Sequence, residues 1–276
     1  MPELPEVETV RRGLTSLIEG VKIKTVDVPY PKVVTSDLKD FKKELAGVTI
    51  DRIDRRGKYL LFRLSNDQTM VSHLRMEGQY SVEPEGAKLH KHTEVAFHLA
   101  DDRQLFYNDT RRFGRMTLVK TGDELQDVSG LKDLGPEPTE SELTLDYMKT
   151  IFHKSHRVVK SFLLDQSNIA GLGNIYADEV LWMTRIHPET RTDKISTRKL
   201  TELRANIIKE INRATEHHGT TVHSFSNIFG ETGHFQNKLQ VYGRANLPCL
   251  RCGTTLKKIK VGQRGTTFCP KCQIKK

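Results

Sequence analysis

The apolar positions of this chain change their spacing near its middle. Val7, Val10, Leu14, Leu17 and Ile18 recur every three or four residues, which places them on one helical face. A helix from Pro5 to Gly20 is predicted. Pro5 suits the first helical position, Glu6 and Glu8 match the positive N-terminal dipole, and Gly20 is a stop. Over residues 21–120 the pattern becomes that of strands. Val48 to Ile53 alternates, and Tyr59 to Leu64 ends at the Asn66-Asp67 turn. Val95 to Leu99 turns through Asp101-Asp102 into Gln104 to Tyr107. Several short antiparallel strands predict a sandwich or a barrel.

The pattern breaks over Leu131 to Glu140, where Gly135-Pro136-Glu137-Pro138 interrupts any regular element. A domain boundary is expected there. Beyond it the spacing is helical over Leu143 to Lys154, Val158 to Asp165, Asn174 to Met183 and Thr197 to His217. Gln166 to Gly173 reads as a turn segment between the second and third helices. Residues 219–237 are rich in Gly, Ser, Thr and Asn and show no period. No internal repeat is seen.

The length of 276 residues suits one large or two medium domains, and 36% hydrophobic residues suffice for a core. No apolar run approaches the roughly 20 residues that span a bilayer. The segment Met1 to Arg12 has no apolar stretch of the signal-peptide kind, so a cytoplasmic location is expected. The net charge is +9, and its distribution is uneven: Lys238 to Lys276 holds ten basic residues and no Asp or Glu. A basic end suits a polyanion, most simply nucleic acid, although charge alone fits a solvated tail equally well. All four cysteines lie in this end, as Cys249-x-x-Cys252 and Cys269-x-x-Cys272 with 16 residues between the pairs. In a cytosolic chain this spacing is that of one structural zinc ion held by four thiolates. A hairpin turning near Val261 to Gly265 fits the gap.

Three separated segments together resemble the formamidopyrimidine-DNA glycosylase family. They are Met1-Pro2-Glu3-Leu4-Pro5-Glu6-Val7-Glu8, the stretch Gly171 to Glu179, and the four-cysteine finger with Gly262-Gln263-Arg264-Gly265. The resemblance runs from residue 2 to 272. It implies an α+β chain with an N-terminal β-sandwich carrying an N-terminal helix over 1–134. A helix–two-turn–helix domain over 135–237 and a four-cysteine zinc finger over 238–276 follow. The expected protein is a monomeric glycosylase and lyase for oxidised purines in double-stranded DNA, including strands with abasic sites. One departure is Asp109-Thr110, where the family often has Asp-Pro before Arg-Arg-Phe-Gly.

The resemblance also implies roles. With Met1 removed, Pro2 presents a secondary amine; a chain amine with a pKa of roughly 8 is partly neutral and nucleophilic near pH 7. Glu3 is the implied general acid, with Glu6 one helical turn on and able to orient the pair. Lys58 matches the catalytic lysine, and Arg264 the finger arginine that grips phosphate. Asn174, after Gly171 and Gly173, sits at a helix start that favours phosphate. His73 and His92 match DNA contacts, and Lys160 and Tyr242 are further phosphate candidates. Met76, Arg111 and Phe113 match three side chains that fill the void left by a flipped-out base. Residues 219–237 are expected to form a lid over that base, with Thr220, Thr221, Val222, Ser224 and Phe225 as its contacts. Two rival readings remain at this point: an endonuclease VIII-type enzyme for oxidised pyrimidines, and a non-catalytic zinc-finger DNA binder. Pro2, Glu3 and Lys58 standing together speak against the second.

Overall fold

The computed structural model describes residues 2–220 and 233–275, which form two compact units. The first comprises residues 2–133 with 218–220 and 233–234; the second comprises 134–217 and 235–275. The expected lid contacts Thr221, Val222, Ser224 and Phe225, like Met1, lie outside the described residues.

The first unit opens on α1 (Leu4–Ile18), whose second residue is Pro5. After β1 (Ile23–Asp27) comes α2 (Leu38–Leu45). Helix α2 interrupts the stretch predicted as strands. Its local cause is legible in retrospect: the Asp37 carboxylate accepts from the N–H groups of Lys39 and Asp40 at 2.8 and 2.9 Å, capping the helix. Phe41 and Leu45, four apart, are then buried on one face. Seven strands follow: β2 (Ile50–Arg56), β3 (Tyr59–Leu64), β4 (Gln68–His73), β5 (Gln79–Pro84), β6 (Thr93–Leu99), β7 (Arg103–Asn108) and β8 (Arg115–Lys120). The short helices α3 (Glu124–Asp127) and α4 (Ser129–Lys132) close the unit.

The strands form two antiparallel four-stranded sheets, in the orders β1-β6-β7-β5 and β2-β3-β4-β8. Ile53, Leu60, Phe62 and Met70 of one sheet share a single buried cluster with Val95, Phe97, Leu105 and Tyr107 of the other. The sandwich expectation therefore holds, and the barrel alternative does not. Val7, Val10, Leu14 and Ile18 of α1 join the same cluster, which fastens the start of the chain to the sandwich. Each such side chain contributes about 1.5–3 kcal/mol when fully buried.

The second unit holds α5 (Leu145–His153), α6 (Val159–Leu163), α7 (Asn174–Thr184) and α8 (Thr197–Glu216), close to the four predicted spans. Helix α7 is buried almost all round, from Ile175 to Trp182. The hairpin of β9 (Lys257–Val261) and β10 (Arg264–Phe268) follows. Its two-residue turn, Gly262-Gln263, has φ of +52° and +64°. Positive φ at both positions marks a turn whose twist matches that of the flanking strands. Among the described residues no helix is long and apolar enough to cross a membrane.

Candidate active site and metal centre

Pro2 is buried immediately before α1, and Glu3 is the residue that precedes its first turn. The Glu3 backbone N–H donates to Glu6 Oε2 at 2.8 Å, the reach-back half of a capping box. Glu6 Oε1 accepts from the Thr220 backbone N–H at 2.7 Å and from its hydroxyl at 3.1 Å. Glu6 is 2% exposed, and both its carboxylate oxygens are engaged by the chain itself. It is an internal brace for the first residues of the chain.

Lys58 occupies the turn between β2 and β3, after Gly57 with φ +56°. It is buried. His73 lies across the ladder from Tyr59, with the rings edge to face at 4.5 Å. His73 Nδ1 accepts from the Arg75 backbone N–H at 2.9 Å. Burial pushes its pKa down to about 3, reinforced by the charges of Arg75 and Lys58. The ring is therefore neutral at physiological pH.

The expected void-filling side chains sit on two loops. Met76 is half-buried between β4 and β5, and Arg111 and Phe113 are exposed between β7 and β8, Phe113 at 47%. The Arg111 guanidinium stands 4.9 Å from the Phe113 ring centroid. Sequence reasoning missed Asp109, which is fully buried and organises this loop. Its carboxylate accepts from the N–H groups of Arg111, Phe113 and Gly114 at 2.9, 2.9 and 2.8 Å. The available signal was an Asp followed by a short polar turn, the usual pattern of a side chain bonding the backbone just after it. Thr110, at the family's proline position, hydrogen-bonds through its hydroxyl to Glu77 of the Met76 loop. Tyr107 lies beneath both loops: a Cβ at Gly78 or at Gly114 would come within 2.9 or 2.7 Å of its Cζ. His92 is half-buried, and its Nδ1 has no hydrogen-bond partner among the described residues.

In the second unit, Asn174 is the first residue of α7, and its Nδ2 donates to the Gly265 carbonyl at 3.0 Å. Arg264, exposed at the start of β10, directly precedes Gly265. Tyr242 is half-buried and its backbone N–H donates to Glu179 Oε1 at 2.8 Å. Glu179 also accepts from the N–H groups of Gln240 and Val241. Burial nonetheless pushes its carboxyl up to about 7. Lys160 requires a correction. It is 0% exposed, and its ammonium is spent on Asp178 Oδ1 at 2.5 Å and the Asn174 carbonyl at 3.0 Å. It cannot be a surface phosphate ligand. Its charge was visible in the sequence; its partner, 18 residues on and in another helix, was not.

The sulfurs of Cys249, Cys252, Cys269 and Cys272 lie within 4.8 Å of one another. Thiolates held tetrahedrally at about 2.3 Å from zinc stand about 3.8 Å apart, so the cluster fits one zinc ion with only slight adjustment. Four sulfur ligands leave no open position, which makes the ion structural. Trp182 Nε1 donates to Cys249 Sγ at 3.4 Å, and Arg251 stacks on the Trp182 ring at 3.9 Å. The centre is thus joined to α7 through a cluster that includes Val241 and Leu256.

Comparison with known proteins finds three matching family models. Residues 1–116 match the formamidopyrimidine-DNA glycosylase N-terminal domain, and 134–226 its H2TH domain. Residues 246–274 match the zinc finger found in FPG and IleRS. A formamidopyrimidine-DNA glycosylase of Lactiplantibacillus plantarum is 60% identical over 270 residues, 98% of each chain. One of Ligilactobacillus salivarius is 53% identical over the full length of both. Among solved structures, a Lactococcus lactis FPG variant with a Fapy-dG-containing DNA is 43% identical with a TM-score of 0.94. The Lactococcus lactis Fpg with an abasic-site-containing DNA is also 43% identical, with a TM-score of 0.93. Each comparison covers 99% of this chain and 100% of the other.

Proposed function

Because the chain belongs to the formamidopyrimidine-DNA glycosylase family and is thus a DNA glycosylase of DNA repair, we propose that it excises oxidised purines from duplex DNA and then nicks the strand, with Pro2 as nucleophile. The substrates are 8-oxoguanine and formamidopyrimidines. The observation that carries this reading is the braced chain start: Pro2 and Glu3 are buried and Glu6 holds the Glu3 N–H, where an idle N-terminal tail would be exposed. The solved relatives with Fapy-dG and abasic-site DNA support the substrate class.

In this reaction the Pro2 nitrogen attacks the sugar C1′ and the bond from C1′ to the base breaks. The base departs with a proton, and Glu3 protonates the ring oxygen so that the C1′–O4′ bond opens and the Pro2 lone pair forms the C1′=N iminium. The resulting iminium acidifies the 2′ hydrogen; loss of that proton expels the 3′ phosphate, and a second elimination expels the 5′ phosphate. Lys58 binds phosphate and supplies a proton in the first elimination. Arg264 grips the phosphate by charge-assisted hydrogen bonds, and Asn174 adds the N-terminal dipole of α7. His73, neutral, along with His92 and Tyr242, contacts the DNA. Met76, Arg111 and Phe113 occupy the space of the everted base. The zinc holds the finger of residues 238–276 folded and takes no part in bond breaking. The active species is a monomer.

Borohydride trapping on a duplex with one 8-oxoguanine tests this. A covalent adduct is expected, and retention of Met1 should abolish it by blocking the amine. An adduct formed at the normal rate with Met1 in place would move the nucleophile elsewhere, with Lys58 the first suspect. Trapping only on an oxidised pyrimidine would favour the endonuclease VIII-type reading. No trapping on any lesion, with binding intact, would favour the non-catalytic binder.

A further inference from the structure

Helix α7 covers the free edge of the finger hairpin. Strand β10 pairs only with β9 among the described residues, so the backbone groups on its other edge need partners. Asn174 Nδ2 donates to the Gly265 carbonyl at 3.0 Å, and Asp178 Oδ2 accepts from the Thr267 N–H at 2.9 Å. Gly265 and Thr267 are two apart and present the same strand edge. Asn174 and Asp178 are four apart and share a helix face. A one-residue slip of β10 would break both bonds, so together they fix its register on the helix. Lys160 ties the two anchors, donating to Asp178 Oδ1 and to the Asn174 carbonyl.

Arg264 immediately precedes the first of these anchored positions and points its side chain to solvent. We infer that Asp178 is a positioning residue: by holding Thr267 it sets where Arg264 stands relative to Asn174, so that both address one DNA phosphate. This rests on the reading of Arg264 and Asn174 as phosphate ligands. Asp178 itself is buried.

The test uses the full-length zinc-loaded protein and a duplex carrying one tetrahydrofuran abasic analogue. Binding is measured across salt concentrations for Arg264→Ala, Asp178→Ala and the double variant. Arg264→Ala is expected to bind about tenfold more weakly and to flatten the salt dependence by about one charge. Asp178→Ala, with its zinc content intact, should do much the same, and the double variant should be no worse than Arg264→Ala. If the two losses multiply, Asp178 only supports the fold and the inference fails. If Arg264→Ala binds like the native protein, the phosphate reading of Arg264 fails, and the inference with it. Where Asp178→Ala loses zinc, two charge-free pairs replace it. Asp178→Asn with Lys160→Met keeps an oxygen for Thr267 and should bind normally, whereas Asp178→Leu with Lys160→Met lacks it and should repeat the Arg264→Ala loss. Equal affinity of the two pairs overturns the positioning role.

Discussion

Glu6 and Thr220, separated by 214 residues in sequence, are joined by two hydrogen bonds to a single carboxylate oxygen, one from the Thr220 N–H and one from its hydroxyl. The other oxygen of Glu6 holds the Glu3 N–H. The segment that returns after α8 is thereby fastened to the residues beside Pro2.

Gly219 makes this fastening testable. A Cβ there would lie 2.7 Å from Glu6 Oε1, and the backbone has φ +71°. Gly86 has a similar φ of +75° with nothing within 4 Å. Gly219→Ala should therefore destabilise the fold more than Gly86→Ala, by about 1–3 kcal/mol, the cost of leaving a buried donor unpaired. Thermal unfolding of the two variants measures the difference, and equal losses would mean that the Glu6 contact adds nothing.

The zinc centre gives a second outcome. Cys252→Ser should lose the metal and unfold the finger, because binding energy at such a site is folding energy. Trp182, stacked by Arg251 and donating to Cys249, should report the loss as a fluorescence change. Metal analysis together with DNA affinity checks it; strong binding by a zinc-free protein would contradict it.

Phe113→Ala and Arg111→Ala should harm excision of 8-oxoguanine more than cleavage at a pre-formed abasic site. An abasic site has no base to evert, so less is asked of the wedge. Rates on both substrates decide, and equal losses would tell against a void-filling role.

What the sequence showed and hid follows one division. Elements set by local pattern were legible: β3 begins and ends where the apolar run of Tyr59 to Leu64 does, and α7 starts at Asn174 as its glycines suggested. The four-cysteine cluster was readable from spacing alone. Helix α2 was missed because its eight residues hold just two buried apolar positions, Phe41 and Leu45, and its cap was read as part of a strand region. The internal partners of Lys160 and Glu6 were hidden for a different reason. Both are charged residues whose partners come from elsewhere in the chain, Asp178 and Thr220, and periodicity carries no record of tertiary pairing.

Two of the groups that set the pH dependence of stability act in opposite directions. Burial pushes the Glu94 carboxyl up to about 7 from an ordinary 4.5, the Asp109 charge adding to it while Arg112 and Arg115 oppose. Neither Glu94 oxygen has a hydrogen-bond partner among the described residues. The folded state keeps a proton that the unfolded chain releases, so this group lowers stability as pH rises through that window. His73, pushed down to about 3 from 6.5, acts oppositely: the unfolded chain binds the proton first, and stability falls as pH drops below 6.5. Glu94→Gln imitates the protonated form. It should melt above the native protein at pH 8, with the advantage vanishing near pH 4.5. Melting curves across this range provide the check, and a lower Tm at pH 8 would rule out the strained carboxylate.

The position of Tyr107 beneath the Met76 and Phe113 loops limits how this sequence can drift. Losing only the hydroxyl, as in Tyr107→Phe, would not admit a side chain at Gly78 or Gly114, because the ring carbon Cζ is already within 2.9 and 2.7 Å of the Cβ positions. A smaller residue at 107 would admit one at Gly114 but not at Gly78, where the Leu74 backbone carbonyl lies 2.5 Å from the Cβ position, and it would leave a cavity under both loops. Each single step is thus penalised, by overlap at either glycine or by a void at the tyrosine. Positions 107 and 114 are therefore constrained jointly, while Gly78 is held by the backbone of its own loop as well.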